Sequence, residues 1–360
     1  MAQRSIASIS LEPVRAGSAA EIHLAEVARG LEESGWRVVR SWQKSTRSNK
    51  LRAFELIAFQ FRSVRIFRHV DILYFRWHVL GLIMYACAIA MRKPYVLEVN
   101  GTADDIVLNH PSLNIFSPWL RRATRWQIRH AAHVVAVAPG LADWVDLNSG
   151  GRVPVTFLPN GAPDAIVGLR SAPESPPYVV FVGELAEWQG VDTLIEARRS
   201  TLWPSELELV IVGSGRLSPL VEKAGGDGII SYCGRLDRDA ANSAMARATV
   251  SVSPQTRRVA RNLLGVTPLK VAESLMLGVP TVVSDLPGQA EIVRDAPHCR
   301  VFEADDPSSL AREIKAASHA SLQERDEIAQ YGMERLSWRG ISRSISELCE
   351  TVHLSRRIVP

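Results

Sequence analysis

The stretch from Gly265 to Asp285, GVTPLKVAESLMLGVPTVVSD, joins a short helix to a buried strand. Thr267 and Pro268 are typical of a helix N-cap and of the first helical residue. Gly278 predicts the end of that helix, because glycine readily adopts the left-handed conformation found after helix ends. A helix that leads directly into a buried strand is one repeating unit of a parallel α/β sheet.

Units of this kind run along almost the whole chain, as short apolar runs that alternate with amphipathic helical patterns. The alternation predicts parallel sheets with helices on both faces, and two series of about six strands predict two doubly wound domains. The predicted strands are Ser5–Leu11, Arg37–Ser41, Ile72–Phe75, Tyr95–Val99, Val134–Ala138, Val155–Leu158, Tyr178–Val182, Leu207–Val212, Ile229–Cys233, Thr249–Ser253, Thr281–Ser284 and Arg300–Phe302.

A segment rich in proline, serine and glycine, residues 166–177, separates the two series and predicts a linker. We therefore expect one Rossmann-like domain over residues 1–165 and another over 178–337. Ligands of open parallel sheets bind beyond the carboxyl ends of the strands, so we expect a cleft between the domains.

Composition narrows the class of protein. The chain has 360 residues, of which 46% are hydrophobic and 22% charged, enough for two globular cores. The four cysteines are scattered without metal-ligand spacing, and the N-terminus lacks the apolar core of a signal peptide, which together predict a cytoplasmic protein. The longest apolar run, Val79–Met91, has 13 residues, whereas a membrane-spanning helix needs about 20, so we expect a buried helix, with a helix lying on a membrane surface as the alternative.

Positive charge is concentrated in the first part of the chain, where residues 1–150 contain 19 Lys and Arg against 12 Asp and Glu. This excess suits an anionic partner, and together with an apolar helix near Val79–Met91 it predicts reversible binding at the inner face of the plasma membrane. A merely solvated basic face remains the alternative. No nucleic-acid-binding motif accompanies the basic residues, so we do not expect nucleic acid as a partner.

The helix after Thr267 also has the features of a nucleotide site. Free amides at a helix start favour phosphate, and Lys270 adds a positive charge in the first turn. Glu273 lies on the same side of the helix and can accept hydrogen bonds from two vicinal hydroxyls, as on a ribose. The alternative is a capped structural helix with an internal Lys–Glu pair.

Residues 265–285 resemble the nucleotide-sugar motif of the retaining family 4 glycosyltransferases, which have the GT-B fold. Glu273 matches the second of that family's two glutamates, and Thr267–Lys270 matches its "sPlK" form. Further matches occur in the same order along about 300 residues. They are GSAAEIHLAEVARGLEESGWRV (17–38), FLPNG (157–161), FVGELAEWQGVDTLIEA (181–197), LVIVGSG (209–215), LPGQAEIV (286–293) and SW (337–338).

The resemblance implies an enzyme that moves a sugar from a nucleotide-sugar donor to a sugar or lipid-linked acceptor, with retention and without a metal or other cofactor. It implies an acceptor domain over 1–165, completed by a helix at 338–360 that crosses back, and a donor domain over 178–337. The residues expected at the donor are Gly17, Thr267, Pro268, Lys270 and Glu273, with Arg261 as a candidate replacement for cations that the family carries elsewhere. Asn100 and His78 are the catalytic candidates, and Arg76 and Asp104 are the acceptor candidates.

Three departures from the family pattern stand out. The first glutamate falls at Gly265, and the two cations that usually hold the diphosphate fall at Glu184 and Gln189. Asn100 stands where a histidine often follows the fourth strand. The alternative to an enzyme is therefore a non-catalytic subunit that binds nucleotide sugars, unless the nearby arginines 257, 258 and 261 supply the missing charge.

Other functional classes fit the sequence less well. The DRD at Asp237–Asp239 resembles a metal-binding motif, but its place at a helix start predicts that Asp237 is an N-cap. VGSGRL at 212–217 lacks the third glycine and the acidic residue of a dinucleotide-binding motif. An epimerase or phosphorylase of the same fold is disfavoured because the matched motifs are those of family 4.

Overall fold

A computed structural model describes residues 3–14, 18–44, 52–103 and 111–358. Contacts divide the chain into two compact units, one made of residues 1–159 with 341–360 and the other of residues 160–340. The segment expected to be a linker, 166–177, falls within the second unit.

The first unit contains a six-stranded parallel sheet with the strand order β2-β1-β3-β4-β5-β6. Its strands are β1 (Ser5–Val14), β2 (Arg37–Lys44), β3 (Ile72–Arg76), β4 (Tyr95–Val99), β5 (His133–Ala136) and β6 (Val155–Phe157). The helices are α1 (Ala19–Glu33), α2 (Arg52–Val64), α3 (Leu82–Ala90), α4 (Ser117–Arg129) and α5 (Pro139–Ser149), with 3-10 turns at Arg65–His69 and Pro111–Phe116.

The second unit contains another six-stranded parallel sheet, ordered β12-β11-β10-β7-β8-β9. Its strands are β7 (Tyr178–Val182), β8 (Glu208–Val212), β9 (Ser231–Gly234), β10 (Val250–Ser253), β11 (Thr281–Ser284) and β12 (Arg300–Phe302). The helices are α6 (Val191–Arg199), α7 (Ser218–Gly226), α8 (Arg238–Ala246), α9 (Ala260–Leu263), α10 (Leu269–Met276), α11 (Ala290–Arg294), α12 (Pro307–Ala317) and α13 (Leu322–Leu336).

Both sheets have the doubly wound organisation that the alternating pattern predicted. All twelve predicted strands are confirmed, with ends displaced by at most three residues. The central strands are buried on both faces, which is why they read in the sequence as apolar runs rather than as alternating patterns.

The apolar run Val79–Met91 contains the helix α3, which is partly buried, as the reading of this run as a buried helix predicted. Met84, Tyr85 and Ala88 are buried in the core of the first unit. The Tyr85 ring packs edge-on against Phe75 of β3, with 4.9 Å between ring centroids. The hydrophobicity of α3 therefore serves mainly to fill that core.

Within the described ranges, every helix is too short or too polar to cross a bilayer.

The last described helix, α14 (Trp338–Ile358), returns the chain to the first unit at Ile341. It packs closely on α1, where a Cβ added to Gly30 would lie 1.9 Å from Ser342 Oγ. The indole of Trp36 donates a hydrogen bond to Ser346 Oγ at 3.0 Å. Residues far apart in sequence therefore build one core.

Candidate functional site

The start of α10 lies at the carboxyl edge of the second sheet, just before β11. The N-cap is Pro268 rather than Thr267, and the helix begins at Leu269. The prediction of Thr267 as N-cap is wrong because its hydroxyl is engaged elsewhere, donating to the Gly288 carbonyl at 3.1 Å. The Thr267 carbonyl accepts from the Asn160 amide at 2.8 Å, so both groups fix the turn that precedes the helix.

Lys270 is a buried cation in the first turn of α10. Its Nζ lies 3.8 Å from the centroid of the Phe181 ring and donates to Gln189 Oε1 at 2.8 Å. A Cβ on Gly183 would come within 2.9 Å of this Nζ, so the glycine leaves room for the ammonium. Burial lowers the pKa of Lys270 to about 7, although Glu273 acts in the opposite direction.

Glu273 lies one turn further along α10 and is also buried. Its Oε1 accepts a hydrogen bond from Arg238 of α8 at 3.4 Å. Burial raises the pKa of the Glu273 carboxyl, and Arg238 and Lys270 partly offset that effect. The site thus holds one acceptor carboxylate between two cations, an arrangement suited to a ligand that carries both hydroxyls and phosphate.

The three arginines expected to replace the missing cations have different surroundings. Arg257 makes two hydrogen bonds to Asp285, at 2.8 and 3.0 Å, and Arg258 pairs with Asp192 at 2.7 Å and with Asp305. The Arg261 guanidinium instead lies 5.0 Å from the centroid of the Trp188 ring. Trp188 precedes Gln189, the partner of Lys270, so Arg261 and Lys270 contact consecutive residues of one turn.

Gly265, at the position of the family's first glutamate, lies in a tightly packed loop. Its φ of +83° is in the left-handed region, and an added Cβ would lie 2.7 Å from the backbone of Pro287. Gly288 has the reciprocal geometry, with φ +87°, and a Cβ added there would lie 2.8 Å from Val266 backbone atoms. The two loops therefore touch backbone to backbone, which leaves no room for a side chain at residue 265.

We expect Gly265→Ala to lower the free energy of unfolding by about 2 kcal/mol or more, from left-handed strain and overpacking. Gly226→Ala is the matched control, because nothing lies within 4 Å of its added Cβ. Denaturant unfolding of both variants measures the difference. A Gly265→Ala protein as stable as wild type would contradict the close packing of these loops.

A second polar cluster lies at the carboxyl ends of β3 and β4 in the first unit. Glu98, 1% exposed, accepts hydrogen bonds from Tyr74 and from His23 Nε2, each at 2.6 Å. Its other oxygen accepts from Asn100 at 2.5 Å and from Arg76 at 3.2 Å. Burial alone would raise the pKa of Glu98, but His23 and Arg76 outweigh burial and bring it to about 2.

One acceptor candidate, Arg76, and one catalytic candidate, Asn100, are thus brought together on Glu98. His78 lies in the turn after β3, where its Nδ1 accepts from the Leu80 backbone amide at 3.2 Å. Asp104, the other acceptor candidate, and Gly17, a donor candidate, lie outside the described residues.

The residues that sequence reasoning missed contact the candidate residues without belonging to a motif. They are Glu98, Tyr74 and Arg238. The sequence did contain a signal for Glu98, which is a carboxylate inside the apolar strand VLEVN. A buried charge requires compensating partners, so this residue predicts a polar cluster around it. Nothing comparable marked Arg238, whose neighbour Asp237 is confirmed as the N-cap of α8 by its bond from the Ala240 amide.

The parts of the chain that the structure describes contain no group of three or more His, Cys, Asp or Glu residues arranged to hold a metal ion.

Sequence models of two glycosyltransferase groups match the two units of the chain. The model of "Glycosyltransferase Family 4" matches residues 20–165, and that of "Glycosyl transferases group 1" matches residues 176–319. A phosphatidyl-myo-inositol mannosyltransferase of Mycobacterium leprae is 27% identical over 210 residues. That match covers 55% of this chain and 54% of the relative, so it spans about half the length of each.

Solved structures share the fold. Sucrose-phosphate synthase of Thermosynechococcus elongatus superposes with a TM-score of 0.75 and 14% identity, covering 98% of this chain and all of the other. Anabaena HepE, solved in complex with UDP, gives a TM-score of 0.72 and 16% identity, covering 96% of this chain and all of the other. The solved structures show the fold, and the two family models, which match both units, show the family: the chain belongs to the family 4 glycosyltransferases of the GT-B fold.

Proposed function

We propose that this protein is a retaining, metal-independent glycosyltransferase that moves a sugar from a nucleotide-sugar donor to an acceptor hydroxyl. The observation that carries the proposal is the buried pair Lys270 and Glu273 in α10, with Arg261 against Trp188, the residue before the Lys270 partner Gln189. A cation at a helix start suits a diphosphate, and a carboxylate one turn away suits a ribose. Structures of HepE have been solved with UDP and with UDP-glucose, which supports a nucleotide sugar as the donor.

The phosphates and the ribose of the donor nucleotide are proposed to contact different groups of the protein. Amides of the first turn of α10, after Thr267 and Pro268, bind phosphate oxygens together with Lys270 and Arg261. Glu273 accepts hydrogen bonds from the ribose hydroxyls, for which Arg238 must release part of its contact. These groups stabilise the charge that develops on the departing diphosphate, which is an electrostatic contribution to catalysis.

Retention at the anomeric carbon follows if the leaving phosphate takes the acceptor proton on the same face of the sugar. The acceptor is proposed to bind the first unit, near Arg76, Asn100, His78 and Asp104. Glu98 holds the first two in place through hydrogen bonds, which limits the freedom of the groups that orient an acceptor hydroxyl. We propose a sugar or lipid-linked acceptor, in the synthesis of a cell-surface polysaccharide or glycolipid.

Direct assay tests the reaction. The full chain is incubated with a panel of nucleotide sugars and extracted glycolipids, without added metal, and products are identified by mass spectrometry. Transfer that is lost in Lys270→Gln supports the proposal. Tight nucleotide-sugar binding with neither transfer nor slow hydrolysis would instead favour a non-catalytic binding subunit, the alternative that Gly265, Glu184 and Gln189 motivate.

Alanine substitutions at Arg257, Arg258 and Arg261 are expected to affect nucleotide affinity differently. Arg261→Ala should weaken the binding of uridine, guanosine or adenosine diphosphate, whichever binds, by about 1.5–3 kcal/mol, or roughly tenfold to over a hundredfold. Arg257→Ala and Arg258→Ala should change affinity little, because their guanidinium groups already bind carboxylates. Titration calorimetry measures all three. If Arg258→Ala loses affinity and Arg261→Ala does not, the assignment of Arg261 is overturned.

A further inference from the structure

A cavity of about 380 Å³ lies at the outer edge of the first sheet, between β2 and α2; we call it the edge cavity. Its walls are the last five residues of β2, Arg40–Lys44, and one face of α2, where Glu55, Phe59 and Arg62 recur at four- and three-residue spacing. Because β2 is the last strand on its side of the described sheet, the cavity reaches side chains from both faces of that strand. Both elements belong to the first unit, so the edge cavity is separate from the donor candidates on α10.

Hydrogen bonds and packing hold the walls of the edge cavity in place. The Trp42 indole N–H donates to Ser8 Oγ of β1 at 3.0 Å, and the hydroxyls of Ser41 and Ser63 are 2.9 Å apart. The Phe59 ring is only 6% exposed, because it packs beneath the cavity as part of the core. The cavity is therefore already formed in the free protein, as is usual for small-molecule sites.

Two side chains of the edge cavity contain an oxygen that lacks a hydrogen-bond partner. Gln43 is only 5% exposed and its Oε1 is buried, and Glu55 Oε2 is buried in the same way. Within the part of the chain that the structure describes, neither oxygen meets a donor, which destabilises the free protein. The terminal torsions of glutamine and glutamate rotate easily, so hydroxyl groups of a ligand in the cavity can supply the donors that both oxygens lack.

The edge cavity also carries a positive charge. Its three cations and one carboxylate leave an excess of two positive charges. Arg40 donates to Glu32 of α1 at 2.7 Å, whereas Lys44 and Arg62 are exposed and make no ion pair among the described residues. A phosphate group would give these cations an anionic partner.

The cation of α2 and the unpartnered oxygens lie at different ends of the edge cavity. The contact between Ser41 and Ser63 places the end of α2, with Arg62, beside the middle of β2. Glu55 lies seven residues earlier, about 10 Å along the helix at 1.5 Å per residue, and thus toward the carboxyl end of β2. A ligand that fits must therefore be anionic at one end and carry hydroxyl groups at the other.

We propose that the edge cavity binds a sugar phosphate. Arg62 binds the phosphate, Gln43 and Glu55 accept hydrogen bonds from sugar hydroxyls, and the sugar ring lies against the half-buried Trp42. A bare inorganic anion would leave the two oxygens unpaired, and a neutral sugar would leave Arg62 unpaired. This inference does not depend on the proposed sugar transfer, because it concerns a separate site and is measured as binding.

Titration calorimetry on the full chain tests the ligand class. The probes are glucose 6-phosphate, mannose 6-phosphate and glucose 1-phosphate, each compared with its parent sugar and with inorganic phosphate. At least one sugar phosphate should bind about tenfold more tightly than both comparison ligands. The proposal is overturned if none of the three binds, or if inorganic phosphate or the parent sugar binds equally well.

Arg62→Gln locates the phosphate. It should lower the affinity for the sugar phosphate by roughly tenfold to a hundredfold, whereas Arg199→Gln, an exposed arginine of the second unit, should not. Lys270→Gln should bind the sugar phosphate like wild type. If Lys270→Gln loses binding and Arg62→Gln retains it, the ligand lies at the donor site and the proposal is wrong.

Gln43→Leu separates ligand binding from a structural role. Leucine removes the unpartnered oxygen, so the melting temperature should rise by about 2–4 °C while the affinity for the sugar phosphate falls roughly twofold to tenfold. Gln330→Leu, at an exposed position of α13, is the control and should change neither value. Opposite effects on stability and binding are not expected of a residue that only supports the fold. Unchanged affinity in Gln43→Leu, or a lower melting temperature, would overturn the proposal.

Discussion

Glu98→Gln is expected to lower the free energy of unfolding by about 3–5 kcal/mol at pH 7, the cost of removing one partner of a buried ion pair. The glutamine keeps the size of the side chain but leaves Arg76 and His23 facing a neutral amide in a site that excludes water. Urea unfolding followed by circular dichroism gives the measurement. The melting temperature should fall by about 6 °C or more.

Glu12→Gln is the matched control for this change. Glu12 also pairs with Arg76, at 2.8 Å, but its side chain is 48% exposed, so the same substitution there should cost less than about 1 kcal/mol. If the two variants are equally destabilised, burial is not the source of the effect.

The pH dependence of the Glu98 contribution has a defined sign. Its pKa is about 2 in the folded protein, against an ordinary value of 4.5, so the carboxylate stabilises the fold above pH 4.5. That stabilisation, about 3 kcal/mol for a shift of this size, is lost as the pH falls from 4.5 toward 2. The stability gap between wild type and Glu98→Gln should therefore narrow over that window. A gap of constant size between pH 7 and pH 3 would contradict the ionised state of Glu98.

Lys270→Gln is expected to weaken nucleoside diphosphate binding by about 1.5–3 kcal/mol at pH 6.5, or tenfold to over a hundredfold. Phosphate oxygens require the charged ammonium, and burial lowers the pKa of Lys270 to about 7 in the free protein. The affinity of the wild type should then fall as the pH rises from 7 to 9, by up to tenfold per unit, because the ammonium must first take up a proton.

Calorimetry across this pH range distinguishes the effect of Lys270 titration on affinity from the effect of diphosphate titration. Lys270→Gln should show the flatter profile, and it corrects for any titration of the diphosphate itself. Lys223→Gln, an exposed lysine on α7, should behave as wild type. A wild-type affinity that is independent of pH, or a steep profile retained in Lys270→Gln, would remove Lys270 from the diphosphate site.

The architecture could be read from the sequence because buried parallel strands leave an unambiguous signal. Four of the twelve strands, including Tyr95–Val99 and Thr281–Ser284, have the predicted bounds, since turns and polar residues end them abruptly. The helix at 269–276 was likewise foreseeable from its proline and Gly278. Its cap was misplaced by one residue because the Thr267 hydroxyl is taken by the Gly288 carbonyl, a contact across 21 positions.

The contacts of the candidate site were less predictable than the fold, because they depend on which charged side chains pair with one another in the folded chain. Arg257, Arg258 and Arg261 are equivalent in sequence, yet the first two are paired with aspartates and the third stacks on Trp188. Hydrophobicity indicated a buried helix at Val79–Met91, and α3 is partly buried there. No local pattern marked the exposed side chains of α2, such as Phe54 and Phe61. Exposure is set by packing neighbours that no local pattern contains.

The return of α14 to the first unit has a consequence for how the protein is made. Trp36 bonds to Ser346, 310 positions later, so the first unit cannot close its core when its own 159 residues leave the ribosome. The whole of the second unit must be synthesised in between and can fold first, reversing the usual N-to-C order of domain folding. Until then the surface of α1 beside Gly30, which Ser342 covers in the folded protein, stays open to solvent.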